Sequence, residues 1–309
     1  MKRLVAIAVV LLSACSSTTS SSSDTDSDSA VVGACAATTQ QPTLGLSAIT
    51  DKYRVRVWDD PDSTKPRELE QIGDDPTTES SGNNLTVVES VAVSSKDCRV
   101  FVGACCEPVS GITFYEGKKK GEWLQLMGHL PAISPDGEQL ALVGYEQLLI
   151  SSTATPDKTS ITIALPKANE ATMYKSAWIN GDQVAISGFT PKGAYVWIAT
   201  ISEGTLRPGE LITDTVNWES EELWRVGLVG ADENENLVTR RVGAAEKDIL
   251  DFRYAEAFES HSTIEIPRGT TSYVMNGQRS AMVTEKGVLS VWAGNGDPVQ
   301  LGAGYVWAG

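Results

Sequence analysis

The chain has 309 residues, 41% of them hydrophobic and 21% charged, which is enough apolar material to bury a full core and rules out disorder throughout. Forty acidic against 25 basic residues give a net charge of −15, and a surface that negative repels phosphate backbones and anionic head groups, so no nucleic-acid partner is expected. Two histidines and five cysteines leave little material for a His-rich metal centre or a His-based triad, while carboxylate chemistry stays open.

The first segment reads as an address. Met1-Lys2-Arg3 is a short basic start, and Leu4 to Leu12 is a run of nine apolar residues, signal-peptide length and too short for a permanent membrane helix. Leu12-Ser13-Ala14-Cys15 resembles the lipobox of bacterial lipoproteins: a branched apolar residue, two small residues, then a cysteine. The resemblance implies cleavage after residue 14, diacylation of Cys15, and a chain held at the cell membrane or the outer membrane, outside the cytoplasm. An ordinary secretory peptide is the alternative. Losing residues 1–14 removes Lys2 and Arg3 and no acid, so the mature charge becomes −17. Head-group attraction cannot hold such a chain at a membrane, and acyl chains must.

Residues 15–41 form the second region, the lipidated cysteine and a flexible linker. Positions 16–29 are all Ser, Thr or Asp, with nothing to bury, and form a solvated tether reaching at most about 50 Å. Asp24, Asp26 and Asp28 superficially suggest a calcium loop, but neither the sixth-position glycine nor the twelfth-position glutamate follows.

Residues 42–309 carry apolar runs of five to seven residues separated by Gly, Asp, Asn, Ser and Pro, with no sustained 3.6-residue period. The clearest unit is Pro131 to Val143, a strand, the turn Ser134-Pro135-Asp136-Gly137, and a second strand. Looser copies surround Ser94, Asn180, Asp232 and Asn276, and the successive spacings are 40, 46, 52 and 44 residues. A period in the forties is what four strands and their turns occupy. The strand–Ser-Pro-Asp-Gly–strand pattern resembles the repeats of TolB-type propellers, relatives of the WD-repeat folds. The resemblance implies an all-β, six-bladed β-propeller. An array of β-sandwiches would also give short strands, but not this recurrence.

The ends bear on closure. Tyr53 to Trp58 and Arg67 to Leu69 read as the third and fourth strands of a blade lacking its first, and Gly304 to Ala308 as a lone first strand. Pairing them would complete a sixth, composite blade. Seven blades is the alternative, if Leu44 to Ile49 belongs to a further unit. Trp58, Trp197 and Trp292 fall in or at the end of third strands, the place of packing residues, whereas Trp218 lies in a polar run and is open to a partner.

With Cys15 assigned to lipid, Cys35, Cys98, Cys105 and Cys106 are disulfide candidates in an exported chain. Cys35 is expected to pair with one of the other three, the remaining two closing a short hairpin. No CxxC zinc spacing, GxSxG elbow or phosphate loop is present, and Gly117-Lys118-Lys119-Lys120-Gly121 reads as a turn between outer strands. Asp74, Asp75, Trp218, Glu219, Glu221 and Glu222 would rim one face as a partner-binding surface, with Asp232 and Glu233 on the other. No cofactor or metal is required; calcium on the rim carboxylates is the one candidate. The favoured function is a non-catalytic binding module for a protein or envelope polysaccharide. The alternative is a propeller hydrolase or lyase acting on a glycan or lactone through channel carboxylates.

Overall fold

A computed structural model describes residues 46–50, 54–58, 65–69, 87–94, 99–105, 111–116, 119–124, 128–144, 146–214, 226–244, 247–277, 279–293 and 297–308. Among these the structure is entirely β, with no helix. It begins with β1 (Leu46–Thr50), β2 (Val55–Trp58) and β3 (Arg67–Glu68). Next come β4 (Val87–Val93), β5 (Val100–Cys105), β6 (Gly111–Glu116) and β7 (Lys119–Leu124), then β8 (Gly128–Ile133), β9 (Gln139–Gly144), β10 (Gln147–Ser152) and β11 (Thr155–Ala164). The fourth group is β12 (Thr172–Trp178), β13 (Gln183–Thr190) and β14 (Gly193–Thr200), with its outer strand split into β15 (Thr205–Leu206) and β16 (Glu210–Thr213). The fifth is β17 (Gly227–Asp232), β18 (Leu237–Val242), β19 (Lys247–Arg253) and β20 (Ser260–Pro267). The last is β21 (Thr270–Gly277), β22 (Arg279–Thr284), β23 (Leu289–Ala293) and β24 (Val299–Gly302), followed by β25 (Tyr305–Ala308).

Each group is an antiparallel meander in chain order. The exception is the first, whose order is β25-β1-β2-β3. Tyr305 to Ala308 therefore supplies the missing first strand, with Ala48 opposite Ala308 and Ile49 opposite Trp307. Leu46–Thr50 is the second strand of this sheet, so it does not seed the further unit on which a seven-unit alternative would rest.

Alternating side chains bury each sheet on both sides, and the apolar clusters lie between consecutive meanders. Val57, Val91, Val102 and Tyr115 join the first to the second, and Phe101, Ile112, Leu140 and Leu142 the second to the third. Trp178 and Ile186 pack on Leu130, Ile150 and Ile163. Val196 and Ile198 meet Leu228 and Leu237, and Leu250 and Phe252 meet Tyr273 and Met275. Ala281, Val283 and Leu289 pack on Ala48, Trp58 and Tyr305, bringing the last meander onto the first. One junction is also hydrogen-bonded: β17 and β21 pair in parallel, Gly230 opposite Met275.

The turns segregate to two faces. Asp182, in the β12–β13 turn, accepts from the Ser202 backbone N–H at 2.7 Å and from its hydroxyl at 2.7 Å, in the β14–β15 turn. Thr153, between β10 and β11, donates its hydroxyl to the Gly137 carbonyl at 2.9 Å. First and third turns thus share a face. At the opposite end, an added Cβ on Gly193, in the β13–β14 turn, would fall 2.2 Å from the Thr213 carbonyl oxygen, where the chain leaves the fourth strand. Second turns and inter-meander connections share that other face.

Candidate binding groove

On this second face, a cavity of about 420 Å³ opens beside the fourth meander, lined among the described residues by Glu170, Thr190, Pro191, Lys192, Tyr195, Trp197 and Gly209. Three local features build it. Glu170 belongs to the connection between β11 and β12, folded as a turn in which the Glu170 N–H donates to the Lys167 carbonyl at 2.8 Å. Thr190, Pro191 and Lys192 form the β13–β14 turn, held by the Thr190 hydroxyl, which accepts from the Lys192 N–H at 3.0 Å. Tyr195 and Trp197, two residues apart on β14, project on one side of the strand, with ring centroids 5.9 Å apart and planes 29° apart.

Gly209 opens the outer wall. Arg207-Pro208-Gly209 interrupts the fourth strand between β15 and β16, because proline cannot donate a ladder hydrogen bond. A Cβ at Gly209 would fall 2.5 Å from Trp197 Nε1, 2.6 Å from Cε2 and 3.1 Å from Cδ1, so only glycine lets the backbone lie this close over the indole ring. Trp197 is 6% exposed, yet among the described residues its Nε1–H has no hydrogen-bond partner. By contrast, the Trp178 Nε1–H donates to the Ala132 carbonyl at 3.0 Å. The side chains of Glu170 and Lys192 are exposed at the mouth.

A second, buried polar cluster lies deeper. Asp248, 0% exposed, accepts from Arg240 Nε at 3.0 Å and also from Arg240 Nη2, while Nη2 donates to the Thr270 carbonyl at 2.7 Å. Lys175, on the first strand β12, has no ion-pair partner among the described residues. Burial, and then the Arg240 charge, push its ammonium down from the usual 10.5 to about 8. Beside it, burial drives the Tyr174 phenol upward, and its hydroxyl donates to the Val226 carbonyl at 2.5 Å.

The sequence-derived sites fare unevenly. Cys15, Cys35, Cys98, Cys106, Asp74, Asp75, Trp218, Glu219, Glu221 and Glu222 lie outside the described residues. Of Cys105, the backbone is placed, at the end of β5. Asp232 is a turn residue whose carboxylate accepts from the Asn234 and Asn236 N–H groups, both at 2.9 Å. It lies on the first-turn face, the face opposite the groove. His261 is exposed and stacks near Tyr254, centroids 4.6 Å apart. Among the described residues, no group of three or more His, Cys, Asp or Glu side chains is placed to hold a metal ion, and no helix is long and apolar enough to cross a membrane.

Trp58 is buried against Tyr305 as expected of packing, at 1% exposure. Trp197 is buried as well and in addition lines the groove. Pro208-Gly209 was the available signal, a strand-breaking dipeptide set against an aromatic pair at i, i+2.

No protein-family model matches the sequence, and no curated protein matches it. Solved structures do. A nidogen/laminin complex matches with a TM-score of 0.56 at 8% identity, over 86% of this chain and 97% of that one. TolB from Acinetobacter baumannii matches with a TM-score of 0.56 at 9% identity, over 85% of this chain and 66% of that one. At such identities the likeness concerns the fold, and the fold is that of a TolB-like β-propeller.

Proposed function

We propose that this protein is a lipid-anchored, extracytoplasmic six-bladed propeller that works by binding a protein partner on the face formed by its second turns and inter-blade connections. The observation that carries the reading is the groove there, about 420 Å³ in volume, whose lining among the described residues joins Tyr195, Trp197 and Pro191 to Glu170 and Lys192. A concave site with aromatic walls and a few polar groups is a feature suited to a ligand. The reading extends the partner surface to Asp74, Asp75, Trp218, Glu219, Glu221 and Glu222, the rim residues expected from the sequence. Six blades is supported by the apolar clusters between successive meanders and by the β25–β1 pairing. The fold's occurrence in a nidogen/laminin complex and in TolB supports a protein as the partner class.

Anchoring rests on the lipobox resemblance. Cys15→Ser should move the protein from the membrane fraction to the soluble extracytoplasmic fraction; persistence at the membrane would refute the lipid anchor. The partner face is tested by photo-crosslinking in cells, with a benzophenone side chain at Lys192 or, on the opposite face, at Glu203. Discrete adducts from position 192 and none from 203 are expected. Equal yields from both, or none from either, would overturn the assignment.

A further inference from the structure

We infer that Arg207 anchors a site for a single carboxylate group, carried by a small organic acid, in the seam between the fourth and fifth meanders. The seam lies toward the first and third turns, opposite the groove. Arg207 directly follows β15, and its N–H donates to the Ile198 carbonyl at 2.9 Å. Its side chain crosses to the β19–β20 turn, where Nη1 donates to the Glu256 carbonyl at 2.8 Å. The other edge of the guanidinium, Nε and Nη2, is enclosed by protein and has no hydrogen-bond partner among the described residues. No carboxylate among them forms an ion pair with Arg207 either. The same turn holds a second arginine. Arg253 Cζ lies 4.7 Å from the centroid of the Phe258 ring, Nη1 donates to the Phe258 carbonyl at 3.3 Å, and Nη2 donates to Asp251 Oδ2 at 2.6 Å. Its Nε is likewise buried without a partner.

Buried donors are almost always paired, and a charged one left unpaired costs the most. The Nε–H and Nη2–H of an arginine point the same way, at a spacing that matches the two oxygens of a carboxylate. Sulfate oxygens fit that fork too, and charge decides between them. Arg253 already has Asp251, so the seam lacks one negative charge rather than two. A monovalent carboxylate supplies it, whereas a dianion would leave a surplus charge beside Phe258, which is 7% exposed. The acids of the turn itself do not serve, since Glu256 and Glu259 are exposed and neither pairs with Arg207. Enclosure of the fork selects a small acid, which enters as the Arg207 side chain leaves the Glu256 carbonyl. That hold is light: one hydrogen bond fixes the guanidinium, and β15 is two residues long, ended by Pro208-Gly209.

The test uses the full-length protein in detergent micelles, labelled with 15N in arginine, the Arg207 Nε–H signal being assigned by its loss in Arg207→Lys. The probe is sodium acetate, with sodium chloride and sodium sulfate at matched ionic strength as controls. Acetate should shift the Arg207 Nε–H signal saturably and raise the unfolding temperature, and the controls should do neither. Arg207→Lys keeps the charge and loses the fork, so acetate's effect on the unfolding temperature should weaken about tenfold or more. Glu256→Gln removes the acid whose carbonyl Arg207 touches and should leave the acetate response unchanged. A signal that ignores acetate overturns the inference, as does an equal response to chloride, which is screening, or a stronger one to sulfate, which marks a dianion site. Equal stabilisation of Arg207→Lys would show that charge alone suffices and would overturn it too. Should that variant fail to fold, the wild-type titration against the two control salts still decides. Crosslinking at position 192 reports on the opposite face, so the partner reading and this one stand or fall separately.

Discussion

Lys175 is an ammonium held where water is scarce, with another cation, Arg240, as its nearest electrostatic influence. Its folded-state pKa, about 8, lies below the 10.5 of the free side chain. Below pH 8 both states are protonated, and the folded state carries the full desolvation cost. Between pH 8 and 10.5 the folded protein loses the proton first, so the unfolded state binds more protons and stability rises with pH. Above 10.5 the difference is gone. Lys175→Met keeps the stem and removes the charge, and at pH 7 it should stabilise the fold by roughly 1–3 kcal/mol, the shift being discounted for the part of the side chain that water still reaches. Denaturant midpoints measured from pH 7 to 10.5 should converge for the two proteins; parallel curves would refute the account. In the sequence, Lys175 is legible only as a charge within an otherwise apolar first-strand copy. Its consequence depends on Arg240, brought in from another blade. Trp197 illustrates the same limit, since its third-strand position marks it as packing while its place in the groove wall depends on Gly209, twelve residues downstream. The residues expected to form the rim lie outside the described residues, in stretches of the sequence with no strand periodicity to constrain position.

At the level of elements, the repeat was legible because every meander must solve the same turn. Ser134 Oγ accepts from the Gln139 N–H at 2.9 Å and donates to Asp136 Oδ1 at 2.5 Å. Asn180 Oδ1 accepts from the Asp182 and Gln183 N–H groups at 3.0 and 2.9 Å, and Asp232 plays the same part. What recurs is a short side-chain oxygen at the end of the first strand, and Ser, Asn and Asp all supply one. Consensus letters degenerate while the hydrogen-bond demand persists. The parallel β17–β21 junction was not legible, because it follows from the bulge between Leu228 and Gly230 and from the missing side chain at Gly230. A Cβ there would lie 1.9 Å from the Met275 carbonyl oxygen, a backbone atom that cannot swing aside. Gly230→Ala should therefore cost about 3 kcal/mol, at the upper end of overpacking penalties. Amide exchange should quicken in β17 and β21 while β9 and β10 keep their protection. An unchanged denaturation midpoint would show that the two strands can separate freely.

For the whole molecule, the decisive contact joins the two ends of the chain. β25 contributes a ladder to β1 and buries Tyr305 against Trp58, centroids 6.0 Å apart. The Tyr305 hydroxyl accepts from Arg56 Nη1 at 3.1 Å, and the Tyr305 N–H donates to the Gly287 carbonyl at 3.1 Å. Contacts between residues so far apart in sequence stabilise only when the intervening chain is already ordered, so this strand acts as a clasp on a nearly finished fold. Deleting residues 304–309 removes the tyrosine burial, worth about 1.5–3 kcal/mol, and the ladder besides, and it bares the edge of β1. A bare edge pairs with another strand. The truncated protein should melt at a lower temperature, self-associate in sedimentation velocity, and regain monomer and part of its stability when a peptide of residues 303–309 is added. A truncated protein that stayed monomeric with an unaltered melting temperature would mean that β25 decorates the first sheet without closing it. In that case the rigidity needed to present the groove would have to come from the apolar contacts between the last and first meanders.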